Sequence, residues 1–117
     1  MSGALAYHGG AAAEDAVARL YERSGHRVVA RRWRSPAGEI DLILRKGPEV
    51  IFVEVKRARD IDRAAERLGP RQMARIARAA ELFLGGEPGG TDTGARIDVA
   101  LVDGTGRIAI VENAFSA

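Results

Sequence analysis

The stretch from Gly38 to Lys56, Gly-Glu-Ile-Asp-Leu-Ile-Leu-Arg-Lys-Gly-Pro-Glu-Val-Ile-Phe-Val-Glu-Val-Lys, constrains the fold more than any other part of the chain. Ile40, Leu42 and Leu44 alternate with Glu39, Asp41 and Ile43, and Ile51, Val53 and Val55 alternate with Phe52, Glu54 and Lys56. Side chains on a strand change face at every residue, so each run reads as a half-buried strand. Lys46-Gly47-Pro48-Glu49 between them predicts a hairpin over residues 39–45 and 50–57. The same parity lets Asp41 share a face with Glu39, and Glu54 with Lys56. Charges inside apolar strands are costly unless they pair or hold a cation. If both faces meet in one cleft, a divalent metal resolves the conflict most simply.

Lys56 strengthens this reading. Of 18 Lys and Arg residues only Lys46 and Lys56 are lysine. Lys46 sits beside a Gly-Pro turn, where many polar residues serve. Lys56 lies within an apolar strand, where a compact ammonium does what a forked guanidinium does not.

A chain of 117 residues supports one domain. It has no cysteine, which excludes disulfides, thiolate catalysis and cysteine-based zinc sites and agrees with a cytoplasmic location. No apolar run approaches the roughly 20 residues of a membrane span, and residues 1–10 do not read as a secretory signal. The basic residues are unevenly spread. Arg27, Arg31, Arg32 and Arg34 crowd one segment, and Arg57, Arg59, Arg63, Arg67, Arg71, Arg75 and Arg78 follow Lys56. Such clusters suit a polyanion, nucleic acid above all; the plainer alternative is a solvated arginine-rich surface.

Around the hairpin, residues 11–24 predict a helix stopped by Gly25, with Glu14 and Asp15 in its first turn. Residues 26–33 predict a strand, and residues 60–85 a helical region divided by Gly69-Pro70. Residues 85–94 read as a glycine-rich connector, and 95–102 and 107–112 as two closing strands. The order predicts an antiparallel three-stranded meander inside an α/β layered sheet. Residues 9–115 then form the domain and residues 1–8 a flexible N-terminal segment.

Asp41 and Glu54 can supply two oxygens for Mg²⁺ or Mn²⁺ and the carbonyl of Val55 a third, with phosphate and water completing the shell. Lys56 beside it can orient water or offset charge in a transition state. Glu14 is either a further ligand or compensation of the helix dipole. Asp41 and Glu54 can equally be plain cross-strand partners of basic residues. Trp33 reads as core in preference to a base-stacking platform. His8 and His26 have no spacing for zinc or a nucleophilic triad, and His26 suits a surface or capping place. Asp98 suits a hydrogen bond at the sheet edge, and Asn113-Ala-Phe115 a lock of the carboxy terminus onto the core.

Asp41 followed thirteen positions later by Glu54-Val-Lys56 resembles the Asp…Glu-x-Lys signature of the PD-(D/E)xK, restriction-endonuclease-like nucleases. Over residues 9–115 the chain is similar to the small bacterial family UPF0102, the YraN-like proteins. The stretches that carry this are Gly10-Ala-Ala-Ala-Glu14, Gly38-Glu-Ile-Asp-Leu-Ile43, Phe52-Val-Glu-Val-Lys56, Pro70-Arg71 with Arg75-Ile76, Ile97-Asp98-Val99 and Asn113-Ala-Phe115. The resemblance implies an αβββαβ core with a mixed sheet flanked by helices. It also implies metal-dependent endonuclease activity on DNA, including branched or flapped structures, as in the dimeric archaeal Holliday-junction resolvases. It carries over Glu14, Asp41, Glu54 and Lys56 as the catalytic set, with Asp41, Glu54, Glu14 and Val55 on the metal. Arg32, Arg34, Arg57, Arg71, Gln72 and Arg75 are the expected nucleic-acid contacts, and a homodimer the expected assembly. Glu39 belongs to the motif without an assigned role. Two positions depart from the family pattern: lysine is common where Gln72 stands, and asparagine where Arg32 stands. Two other functions compete. One is a non-cleaving nucleic-acid-binding or assembly module on the same fold. The other is metal-independent RNA cleavage by His, Tyr and Lys, disfavoured because neither histidine is near Lys56 in sequence.

Overall fold

A computed structural model describes residues 2–114, with side chains from Gly10 onward. The chain runs α1 (Ser2–Arg23), β1 (Arg27–Ser35), β2 (Gly38–Lys46), β3 (Glu49–Arg57), α2 (Ile61–Glu66), α3 (Pro70–Leu84), β4 (Ala95–Val102) and β5 (Ile108–Val111). The strands form one sheet in the order β1-β2-β3-β4-β5. β1, β2 and β3 pair as the antiparallel meander, β3 and β4 are parallel, and β4 and β5 are antiparallel. A parallel pair needs a long crossover, and α2 with α3 supplies it. The mixed sheet flanked by helices and the expected αβββαβ order are both present.

Besides a smaller cluster of Ala64 on α2 with Val99 and Leu101 on β4, two cores lie on opposite faces of the sheet. On one, Ala13, Val17, Ala18 and Tyr21 of α1 pack on Leu42, Leu44, Ile51, Val53, Ala100 and Val102. On the other, Ala79, Ala80 and Leu84 of α3 pack on Ile40, Ile43, Val50 and Phe52, with Trp33 against the same cluster. Trp33 is half-buried against that core, edge-on to Phe83 at a centroid separation of 5.4 Å.

The turns follow local chemistry. Gly25 has φ +88° and ends α1: its N–H donates to the Glu22 carbonyl, and that of His26 to the Tyr21 carbonyl. That pairing is the Schellman closure. His26 caps the same carbonyl with its ring, Nδ1 lying 3.2 Å from Tyr21 O. Ser35 folds the β1–β2 turn, its Oγ accepting from the N–H groups of Ala37 and Gly38. Asp60 caps α2 by accepting from Arg63 N–H at 2.9 Å, and Pro70 opens α3.

Two expectations need correction. α1 begins at Ser2, well before residue 11, so Glu14 and Asp15 lie in mid-helix and α1 has no acid in its first turn. Gly9 and Gly10 lie inside α1, where a glycine costs only about 1 kcal/mol, which a long alanine-rich helix can bear. Dipole compensation acts within the first turn only, so it does not account for Glu14. Second, Ile40 and Leu42 do not share a core: Ile40 packs on the α3 side and Leu42 on the α1 side. β2 changes face at Asp41. Opposite that point, between the pairs Arg31↔Leu42 and Trp33↔Ile40, Arg32 has φ +48°. A non-glycine residue there marks a locally distorted strand pair.

Candidate active site

The distortion falls where the charged residues gather. One step beyond the pair Leu42↔Val53 lie Asp41 on β2 and Glu54 on β3. Asp41 Oδ2 accepts the main-chain N–H of Val55 at 2.8 Å, pinning the carboxylate across the two strands. Glu54 is 5% exposed. Its Oε2 accepts from Gln72 Nε2 on α3 at 2.7 Å and lies 3.2 Å from Lys56 Nζ. Its Oε1 is buried and is the one buried side-chain polar atom without a hydrogen-bond partner among the described residues.

The electrostatics follow from burial. Glu54 is pushed up to about 8, first by burial and then by the neighbouring Asp41 charge, with Lys56 opposing. Burial raises Asp41 as well, against the Val55 N–H, Glu54 and Lys56. Glu14 is raised by burial and then by Asp41, with Arg32 opposing. Its carboxylate thus feels Asp41 from across the α1 side, while Arg32 Nε holds it at 3.2 Å.

Two open clefts flank this point. One, of about 250 Å³, is lined by Gly38, Glu39, Asp41, Glu54, Gln72 and Arg75. The other, of about 460 Å³, is lined by Gly10, Glu14, Val55, Lys56, Arg57 and Arg67. The four expected catalytic residues therefore come to one end of the sheet from α1, β2 and β3. Among the described residues no three His, Asp or Glu side chains form a ready metal cage. A cation here would rest on Asp41, Glu54 and the Val55 carbonyl, with Glu14 a step behind and outside oxygens completing its shell. The donor set fits a hard divalent ion: all oxygens, with one buried carboxylate oxygen unpaired.

The expected nucleic-acid contacts divide. Arg32 and Arg34 are engaged with Glu14 and Glu39. Arg31 likewise pairs with Asp15 at 2.7 Å, so much of the β1 cluster is compensated. Arg57, Arg71 and Arg75 are exposed and form no ion pair among the described residues. Gln72 faces Glu54. Arg67, counted in the basic cluster after Lys56 but not among the six expected contacts, lines the Lys56 cleft; its place there, at the end of α2, depends on the crossover.

His26 lies at the far end of α1, in a cavity of about 530 Å³ with Tyr21, Lys46 and Arg96, away from Lys56. His8 falls outside the residues whose side chains are described. Asp98 is fully buried and accepts from Tyr21 OH at 2.7 Å, Arg96 Nε at 3.0 Å and Asn113 N–H at 2.9 Å. With the Ala114 N–H donating to the Ile97 carbonyl at 2.8 Å, this ties down the carboxy-terminal segment as far as Ala114; Phe115 lies outside the described residues. No helix among the described residues is long and apolar enough to cross a membrane.

The model of the "Uncharacterised protein family UPF0102" matches residues 13–102, which include Glu14, Asp41, Glu54 and Lys56. A UPF0102 protein of Cereibacter sphaeroides is 60% identical over 117 residues, covering all of both chains. One of Ruegeria pomeroyi is 63% identical over 106 residues, 91% of this chain and 86% of the relative. One of Dinoroseobacter shibae is 42% identical over 111 residues, 95% of this chain and 83% of the relative. The matched residues span both cores and the whole carboxylate–lysine cluster, and the chain belongs to the UPF0102 family.

Proposed function

We propose that this protein is a metal-dependent endonuclease that hydrolyses phosphodiester bonds of nucleic acid, DNA in the first instance, with Mg²⁺ or Mn²⁺. The observation that carries the reading is the Asp41–Glu54 pair, two adjacent carboxylates with one buried oxygen left unpartnered and Lys56 on the other. An acid pair of this kind is costly to keep charged unless a cation joins it. Asp41, Glu54 and the Val55 carbonyl would hold that cation, with Glu14 bound directly or through water. When bound, it polarises a phosphoryl oxygen and lowers the pKa of water.

In the hydrolysis a water oxygen bonds to phosphorus, the bond from phosphorus to the leaving sugar oxygen breaks, and that oxygen takes up a proton as the water loses one. Lys56, tethered 3.2 Å from Glu54 Oε2, orients the attacking water and offsets the negative charge growing on the phosphoryl oxygens. Arg57 and Arg67 on one side of the carboxylates, and Arg75 on the other, hold the strand by its phosphates. Among the described residues no element of the site is built to read base edges, and the proposed activity follows substrate structure in preference to sequence. The exposed, unpaired arginines favour one competing reading, a binding module that does not cleave.

The test is incubation with labelled single-stranded, duplex, flapped and four-way-junction DNA, and with RNA, in Mn²⁺, Mg²⁺ or EDTA. Asp41→Asn and Lys56→Ala run alongside, and size-exclusion chromatography reads whether the chain is a homodimer. We expect metal-dependent cleavage that falls at least about a hundredfold in both variants. Binding without cleavage, unchanged in both, would leave the binding module.

A further inference from the structure

Glu54 receives two donors on one oxygen and none on the other. Gln72 Nε2 lies 2.7 Å and Lys56 Nζ 3.2 Å from Oε2, while Oε1 is buried without a partner. The last torsion of a glutamate is broad and nearly two-fold, so packing alone does not choose which oxygen faces which way. Lys56 does not choose either, because it sits two residues along the same strand on a flexible stem, and its ammonium can follow either oxygen. Gln72 differs. It stands in the first turn of α3, on a separate element, and its planar amide reaches Glu54 across the cleft that also holds Asp41 and Arg75. It is also neutral: it fixes the carboxylate without adding a second positive charge beside Lys56.

We propose that Gln72 is a positioning residue. Its amide locks the Glu54 carboxylate with Oε2 toward α3 and Lys56, so that Oε1 is the oxygen presented to a divalent cation. The inference rests on the metal-dependent reading above and replaces the expectation that Gln72 touches phosphate. Groups that orient a ligating carboxylate commonly change metal affinity by about 10–100-fold when removed.

The test measures Mn²⁺ binding to the full chain without nucleic acid, by the electron paramagnetic resonance signal of free Mn²⁺. Gln72→Met keeps the volume and removes the donor; Gln72→Asn keeps the amide but shortens its reach. Thermal melts in EDTA establish that each variant is folded, and DNA binding is measured in EDTA. We expect Mn²⁺ affinity to fall at least about tenfold in both variants, with melting temperature and metal-free DNA binding close to those of the unaltered protein. Equal Mn²⁺ affinity in the variants and the unaltered protein would overturn this inference alone. So would a loss of DNA binding in EDTA with Mn²⁺ affinity intact, which would make Gln72 a phosphate contact. Absence of Mn²⁺ binding in the unaltered protein would overturn the metal-dependent reading and this inference together.

Discussion

Glu54 shows how a single residue can work against the stability of the fold that holds it. It titrates near 8 in the folded chain, against an ordinary value of 4.5. Between those two pH values the folded state binds more protons than the unfolded state, so stability falls as pH rises and levels off above about 8. Asp41 is shifted in the same direction. Urea unfolding in EDTA at pH 5, 7 and 9 should therefore give declining stability, and Glu54→Gln should flatten the decline. An unchanged slope in that variant would remove Glu54 as its source. The conflict at this residue was legible in the sequence, because a carboxylate in an apolar strand, thirteen positions from another, is conspicuous. The orphaned Oε1 was not, because it depends on Gln72, which only the crossover brings alongside.

Among the elements, the strands and α3 could be read closely from the alternation and from Pro70, while the start of α1 and the bend in β2 could not. Period-two alternation assumes a strand that keeps one pleat, and β2 breaks this at Asp41, opposite Arg32 with its φ of +48°. A left-handed residue other than glycine costs about 1–2 kcal/mol. That explains physically why asparagine, which tolerates the conformation, suits the position of Arg32. The end of α1 was legible because Gly25 is the one residue type that enters its φ of +88° freely. Gly25→Ala should cost about 1–2 kcal/mol, read as a lower urea midpoint with an unchanged slope. No change in midpoint would mean that α1 can end another way.

Taken whole, the molecule is tied together by Asp98 as well as by its two cores. This fully buried carboxylate of β4 joins that strand to α1 through Tyr21 and to the carboxy-terminal segment through Asn113, with Arg96 of the same strand beside it. It leaves Tyr21 titrating well above its usual range, because burial and the hydrogen bond to Asp98 both favour the protonated phenol. Removing one member of a buried charged network costs about 3–5 kcal/mol. Asp98→Ala should lose about that much in urea unfolding, and Tyr21→Phe about 1.5–3 kcal/mol, as for a hydrogen bond to a charged group. Comparable losses from Arg31→Ala, whose pair with Asp15 is exposed, would count against a special role for the network. The sequence marked Asp98 only as a candidate for an edge hydrogen bond, since nothing local in Ile97-Asp98-Val99 shows that Tyr21, 77 residues away, completes it.

The two kinds of strand pairing have a further consequence, for the order of folding. Asp41 and Glu54 belong to a local hairpin turned at Gly47 and Pro48, so bringing them together closes a short loop. Docking of α3 and the parallel pairing of β3 with β4 require the long crossover to be ordered first, and contacts distant along the chain form slowly. On that ordering the acidic pair meets while still wet, and it loses its water only when α3 settles over it in the last step to the native state.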